Sequence, residues 1–240
     1  MVVLSTAFCP PIEYFAVLAG YSSVFIDSGE NYQKQSWRNR CRILTANGPE
    51  SLNVPVVHEN GTFSLPIKEI RVEYTTPWVL RTERAIESAY SSSPFFIYYK
   101  DELFLILDSH PETLWELNRR LIDFFCARIG ISPVIRETTG YSQAAGRVSP
   151  PQAGLTAPPI SDGPLPLHPW ADMASGGDTL PADDDYRELI HPKRPNTIMR
   201  DLGLERPYWQ VFRERFGFVP GLSIMDLLFN DGPESICWLR

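Results

Sequence analysis

Apolar residues enter the chain as a short unbroken run and then switch to helical spacing. "VVLS" reads as a short buried strand, and "PPIEYFAVLAGY" places Ile12, Phe15, Ala16 and Ala19 at helical intervals, with Pro11 near the start and Gly20 at the end. "SSVFID" reads as a second strand, so the chain opens as a strand, a short helix and a strand, which predicts two parallel strands. "RCRILTANGPESLNVPVV" predicts two β segments joined at Asn47-Gly48, a favoured hairpin dipeptide. "IKEIRVEY" predicts one more strand.

From Pro77 the spacing becomes helical. "PWVLRTERAIESAY" puts Val79, Ala85, Ile86 and Ala89 on one face and stops at the serine run before Pro94. "PFFIYYKDELFLILDS" and "ETLWELNRRLIDFFCARIG" follow as helices, the second with Leu114, Leu117, Leu121, Phe124 and Phe125 at core spacing and Gly130 as its cap. The periodicity then disappears. Residues 139–185 are dense in Pro, Gly, Ser and Asp, the composition of a flexible insert. Pattern returns in "RPYWQVFRERFGFVPGLSIMDLLFNDGPESICWLR", which predicts a helix around Tyr208 to Phe216 and another from Ser223 to Phe229, with Ser223 as N-cap.

The predicted fold is α/β or α+β: a mixed sheet built by the N-terminal half, helices packed on it, and a core completed by C-terminal helices. Along the chain this gives an α/β part over 1–137, an insert over 138–185, and a helical segment over 186–240 that completes the same domain.

Composition narrows the function classes. A hydrophobic content of 43% supplies a core, and no stretch approaches the run of apolar residues that crosses a membrane. The formal charge of -7 argues against a general nucleic-acid binder. The four cysteines, Cys9, Cys41, Cys126 and Cys237, form neither a disulfide framework nor a metal-ligand cluster; buried thiols, no metal and no cofactor are expected. The N-terminal stretch has no basic region and meets Pro10-Pro11 early, so the expected compartment is a reducing cytoplasm. GxGxxG, GxxxxGK, GxSxG and HExxH signatures are all missing.

Against this acidic background "YQKQSWRNRCRI", residues 32–43, gathers Lys34, Arg38, Arg40 and Arg42 and interleaves them with Tyr32 and Trp37. An extended segment would align Tyr32, Lys34, Arg38, Arg40 and Arg42 on one side; a helix would align Lys34, Arg38 and Arg42. Guanidinium forks suit phosphate or carboxylate oxygens, the indole or phenol can stack on a planar group, and Gln35 and Asn39 add directional hydrogen bonds. The competing reading is an edge strand loaded with cations against edge pairing. Candidate acid–base groups are Glu13 and Asp27, near the first helix start and the second strand end where open α/β folds place ligands, and His191, beside Lys193 and Arg194.

Taken together, "PPIEYF", "YQKQSWRNRCRI", "AIESAYSSSPFF", "RPYWQVFRERFGF" and "LSIMDLLFNDGPE" resemble the WbqC-like family of bacterial proteins. Lys34, Gln35, Trp37, Asn39, Arg40, Arg42 and Ile43 match the family segment; Cys41 replaces an Asn, and Thr82 stands where members commonly carry a His. The resemblance implies a transferase or accessory step on an activated, phosphorylated or nucleotide-linked sugar in surface polysaccharide and O-antigen synthesis. Tyr32, Lys34, Gln35, Trp37, Asn39, Arg40 and Arg42 would bind the anionic small molecule, with Asp27, Glu13 or His191 as catalytic group. The alternative is a non-catalytic anion-binding or scaffold protein using the same segment.

Overall fold

The computed structural model describes residues 2–57, 65–138 and 184–240. Most of the proline-rich insert, together with His58 and His168, lies outside the described residues.

The predicted opening forms as β1 (Val3–Ser5), α1 (Ile12–Gly20) and β2 (Ser23–Asp27), with β1 and β2 parallel and Leu4 opposite Ile26. The basic segment that follows is neither one strand nor one helix. It turns at Lys34-Gln35, makes a short 3-10 helix over Trp37–Asn39 capped by the Ser36 hydroxyl, and only then enters β3 (Arg40–Thr45). β3 pairs antiparallel with β4 (Gly48–Asn53). The connecting pair is Ala46-Asn47, one residue earlier than Asn47-Gly48, because Thr45 Oγ1 bonds both Asn47 N (3.2 Å) and Gly48 O (2.9 Å) and leaves Gly48 at φ 107°.

"IKEIRVEY" does not form the predicted strand. Ile67–Glu69 make a 3-10 turn, and Arg71 and Val72 form isolated bridges to Thr113 and Val56, which lets Ile67, Ile70 and Val72 all reach the core. Three helices follow: α2 (Trp78–Tyr90), α3 (Phe96–Asp108) and α4 (Leu114–Ile129). α4 is capped by the Thr113 side chain on Glu116 N and ends on Gly130 in the left-handed region. β5 (Val134–Glu137) then adds parallel to β2, giving the order β1-β2-β5. The fold is α/β, with its parallel and antiparallel strands in separate sheets.

From Asp184 the chain lies against the far edge of the same sheet: Val3 N donates to Asp184 O (3.0 Å) and Tyr186 N to Val3 O (2.9 Å). Two single-turn helices, α5 (Ile198–Asp201) and α6 (Arg213–Phe216), precede α7 (Ile224–Asp231). The predicted helix from Tyr208 shrinks to α6 because Tyr208 and Gln210 lie outside any helix and bury their side chains against α7. α7 is buried along most of its length, and its Phe229 packs edge-on against Tyr90 of α2 and Phe96 of α3, both at 5.2 Å between centroids. The last and first segments therefore share one core.

Gly232 ends α7 at φ 57°, and a Cβ there would lie 2.7 Å from Cε1 of Phe95, 2.6 Å from Cγ and closer still to Cδ1. Gly232→Ala combines a strained backbone with overpacking between α3 and α7. It is expected to cost about 2 kcal/mol or more, measured as a lowered urea midpoint, whereas Gly20→Ala, with nothing within 4 Å of the new carbon, serves as the benign comparison.

Candidate functional site

The C-terminal ends of the parallel strands, where open α/β sheets usually receive ligands, are filled by the protein's own charges. Asp27, wholly buried at the end of β2, accepts from Arg187 on one oxygen and from Thr138 Oγ1 (2.9 Å) and Gly29 N (3.0 Å) on the other. Glu30 beside it accepts from Arg38, from Ser5 Oγ (2.8 Å) and from Thr6 N (3.2 Å). The cavity that Arg38 and Arg187 line beside these pairs is about 10 Å³, the size of a single water. Asp27 and Arg38 thus face a closed ionic clasp.

The clasp sets the geometry of what lies next to it. Arg38's guanidinium is held by Glu30, and its carbonyl accepts from the buried Asn118 of α4 at 2.8 Å. Trp37 O accepts from Phe8 N (2.8 Å), and Asn39 bonds Val54 through both its backbone oxygen and its side-chain nitrogen. A turn pinned on three sides leaves Trp37 one orientation. Its ring forms part of an open cleft of 820 Å³, together with Arg42, whose guanidinium carbon lies 5.8 Å from the ring centroid.

Glu13, from the first turn of α1, and His191 line the same cleft. Glu13 is 6% exposed and accepts from Asn196 Nδ2 at 3.2 Å. Burial pushes its carboxyl above the ordinary range, against the opposing pull of its own backbone N–H, Asn196 and Arg42. His191 Nδ1 accepts from Lys193 N (3.2 Å); burial first, and Arg194 next, lower its basicity, so the imidazole is a neutral group with its proton on Nε2. Lys193 donates to Gln35, which brings that amide to the rim.

The opposite wall is aromatic. Arg206 stacks on Trp238 at 4.5 Å and donates to Cys237 O; Tyr208 meets Phe218 at 5.3 Å and Trp238 at 6.1 Å, both edge-on. Arg42, Lys193 and Arg206 have no carboxylate in ion-pair contact among the described residues, whereas Arg194 and Arg200 pair with Glu188 and Asp201. Among the described residues no group of three His, Cys, Asp or Glu side chains comes together to hold a metal ion, and no helix is long and apolar enough to cross a membrane.

Of the residues singled out in the sequence, Glu13, Trp37, Arg42 and His191 meet in the cleft, with Gln35 bonded to its rim. Tyr32 is buried beside Asn39 and Arg40; Asn39 bridges to Val54, Lys34 is exposed on the turn, and Arg40 starts β3, none of them lining the cleft. Thr82 is buried in α2, and Cys9, Cys41 and Cys126 are buried thiols while Cys237 is exposed. Sequence reading missed Asn196, Arg206, Tyr208, Phe218 and Trp238, whose aromatic density looked like core alone.

The model of the WbqC-like protein family matches residues 6–150. A protein of Mycobacterium tuberculosis, described as uncharacterized protein Rv1507c, is 29% identical over 244 residues, covering 99% of this chain and 96% of its own length. No solved structure matches.

Two measurements test this geometry. Arg187→Met leaves Asp27 buried with its charge unpaired and is expected to cost about 3 kcal/mol or more in chemical denaturation. Glu13, with its folded-state pKa raised, stabilises the fold fully below the ordinary carboxylate range, and that contribution is lost as pH rises through the raised value. Wild type should therefore lose more of its unfolding midpoint than Glu13→Gln does as pH rises from the ordinary carboxylate range through the raised value; equal losses would show that the carboxyl is not perturbed.

Proposed function

Because this chain belongs to the WbqC-like protein family, we propose the role that the family resemblance implied: cytoplasmic group transfer on a phosphorylated or nucleotide-linked sugar in surface polysaccharide synthesis. The observation that carries the reading is the convergence, in one cleft, of unpaired cations, aromatic faces and a buried carboxyl. In an acidic protein, Arg42, Lys193 and Arg206 make a local positive field for phosphate oxygens, and stacking on Trp37 and Trp238 holds the two guanidinium planes before a ligand arrives.

Glu13 supplies the acid–base step. A carboxylate whose pKa is raised toward neutrality accepts a proton more effectively from an attacking hydroxyl or amine. As that nucleophile bonds to the transferred group, its proton passes to Glu13 and the bond to the phosphate-bearing leaving group breaks. The leaving group carries off the electron pair, and its negative charge is met by Arg42, Lys193 and Arg206. Asn196 holds the Glu13 carboxylate in place, and neutral His191 offers a donor to the departing oxygen.

A thermal-shift screen against nucleotide-sugars, sugar phosphates and free nucleotides tests the binding half. One class should raise the unfolding midpoint, and Arg42→Ala should weaken its affinity by about tenfold or more. With the bound class as donor, Glu13→Gln should retain affinity and lose turnover by on the order of a hundredfold. Binding by wild type without any turnover would favour the scaffold alternative. No shift with any class would remove the anion-site reading.

A further inference from the structure

The aromatic wall of the cleft belongs to a loop that is closed by side chains. From Tyr208 the chain leaves the core, passes through α6 and comes back at Val219, and Gln210, with no exposed surface, closes the neck. Gln210 Oε1 accepts from Val219 N and its Nε2 donates to Val219 O, both at 2.9 Å, so one side-chain amide does the work of a paired peptide group. That Nε2 also lies 3.0 Å from Tyr208 Oη and 3.1 Å from Asp226 Oδ2, and Tyr208 Oη donates to the same Asp226 oxygen at 2.6 Å. Asp226, in the first turn of α7, is 1% exposed.

We propose that Asp226 and Gln210 are positioning residues of the cleft: they hold Tyr208 and residues 218–221 of the loop as one rigid aromatic wall without touching the ligand. The claim rests on the cleft being a ligand site, as argued above. Two donors converge on one Asp226 oxygen, so the position needs an acceptor with spare lone pairs; an apolar residue would strand both the phenol and the amide inside the core.

The groups facing Asp226 are Tyr208 and Gln210 from the loop, Tyr90 from α2 and Asp231 from the end of α7. Burial raises its carboxyl to about 6, with Tyr208, Tyr90 and Gln210 opposing and Asp231 adding. Above that pH the carboxylate carries a full negative charge; below it the carboxyl is neutral, and the bonds from Tyr208 and Gln210 to Oδ2 lose their charge assistance. Wall rigidity should therefore change near neutrality, and ligand affinity with it.

The test uses the full-length protein and two readouts. Amide hydrogen exchange, corrected for its intrinsic pH dependence, follows Val219 and, as control, the amides of α4; titrations use uridine diphosphate, which needs the wall, and inorganic pyrophosphate, which needs only cations. In Asp226→Asn and Gln210→Met, Val219 should exchange at least about tenfold faster with α4 unchanged. Uridine diphosphate should weaken by a similar factor, and pyrophosphate by less than about twofold. Wild type alone should show a break in Val219 protection near pH 6 that Asp226→Asn lacks; this arm needs no variant to fold other than the comparison. Unchanged Val219 exchange in both variants, or equal acceleration throughout α4, overturns the proposal. If wild type binds neither probe, the ligand reading of the cleft falls, and Val219 exchange alone decides whether the two residues position the wall.

Discussion

Two buried carboxylate–guanidinium contacts, Asp27 with Arg187 and Glu30 with Arg38, govern where everything else stands. Each buries a charge that would be costly to leave without its partner, and each reinforces a junction that backbone bonds also make. Arg38 is fixed to the sheet by Glu30 and to α4 by Asn118, so the adjoining Trp37 and the start of β3 inherit a defined direction. Arg187 is fixed to β2, so the residues after it, His191 to Arg206, run alongside α1. The cleft is what remains between those two anchored runs.

This arrangement separates charges by role. The ions at the strand ends are matched and enclosed, leaving no room for a ligand. In the cleft Arg42 and Arg206 are stacked on rings, and these two and Lys193 have no carboxylate in ion-pair contact among the described residues. A basic sequence segment therefore divides into Arg38, whose charge is used to build, and Arg42, whose charge is presented outward. Their spacing in the sequence does not distinguish them. What does is which residue the 3-10 turn points inward.

Much of the fold could be read from periodicity because its elements bury one clean face. β1-α1-β2, the hairpin, α2, α4 with its Gly130 cap and α7 with its Ser223 cap all carry local signals. Local signals failed where tertiary contacts decided the conformation. "IKEIRVEY" gave up regular pairing so that three apolar side chains could reach one core, and residues 208–212 stayed out of helix because Asp226 and Val219 bind the Tyr208 and Gln210 side chains. Glu13, Trp37, Arg42 and His191 were legible as chemistry-bearing residues, but their meeting depends on contacts across more than a hundred residues. Arg206 opens one of the segments that carried the resemblance but was given no role, and Trp238 lies in none of them, so only the folded chain makes them neighbours.

The Gln210 amide has a further consequence for how the molecule ages. Hydrolysis of that one side chain would replace a two-way donor and acceptor with a second acid, set 3.1 Å from Asp226, with no donor left for Val219 O. The loop neck would then be held open by repulsion between two carboxylates where it is now closed by hydrogen bonds. Its full burial keeps bulk water from that amide, so the packing around α7 also acts as chemical preservation of the group that closes the loop.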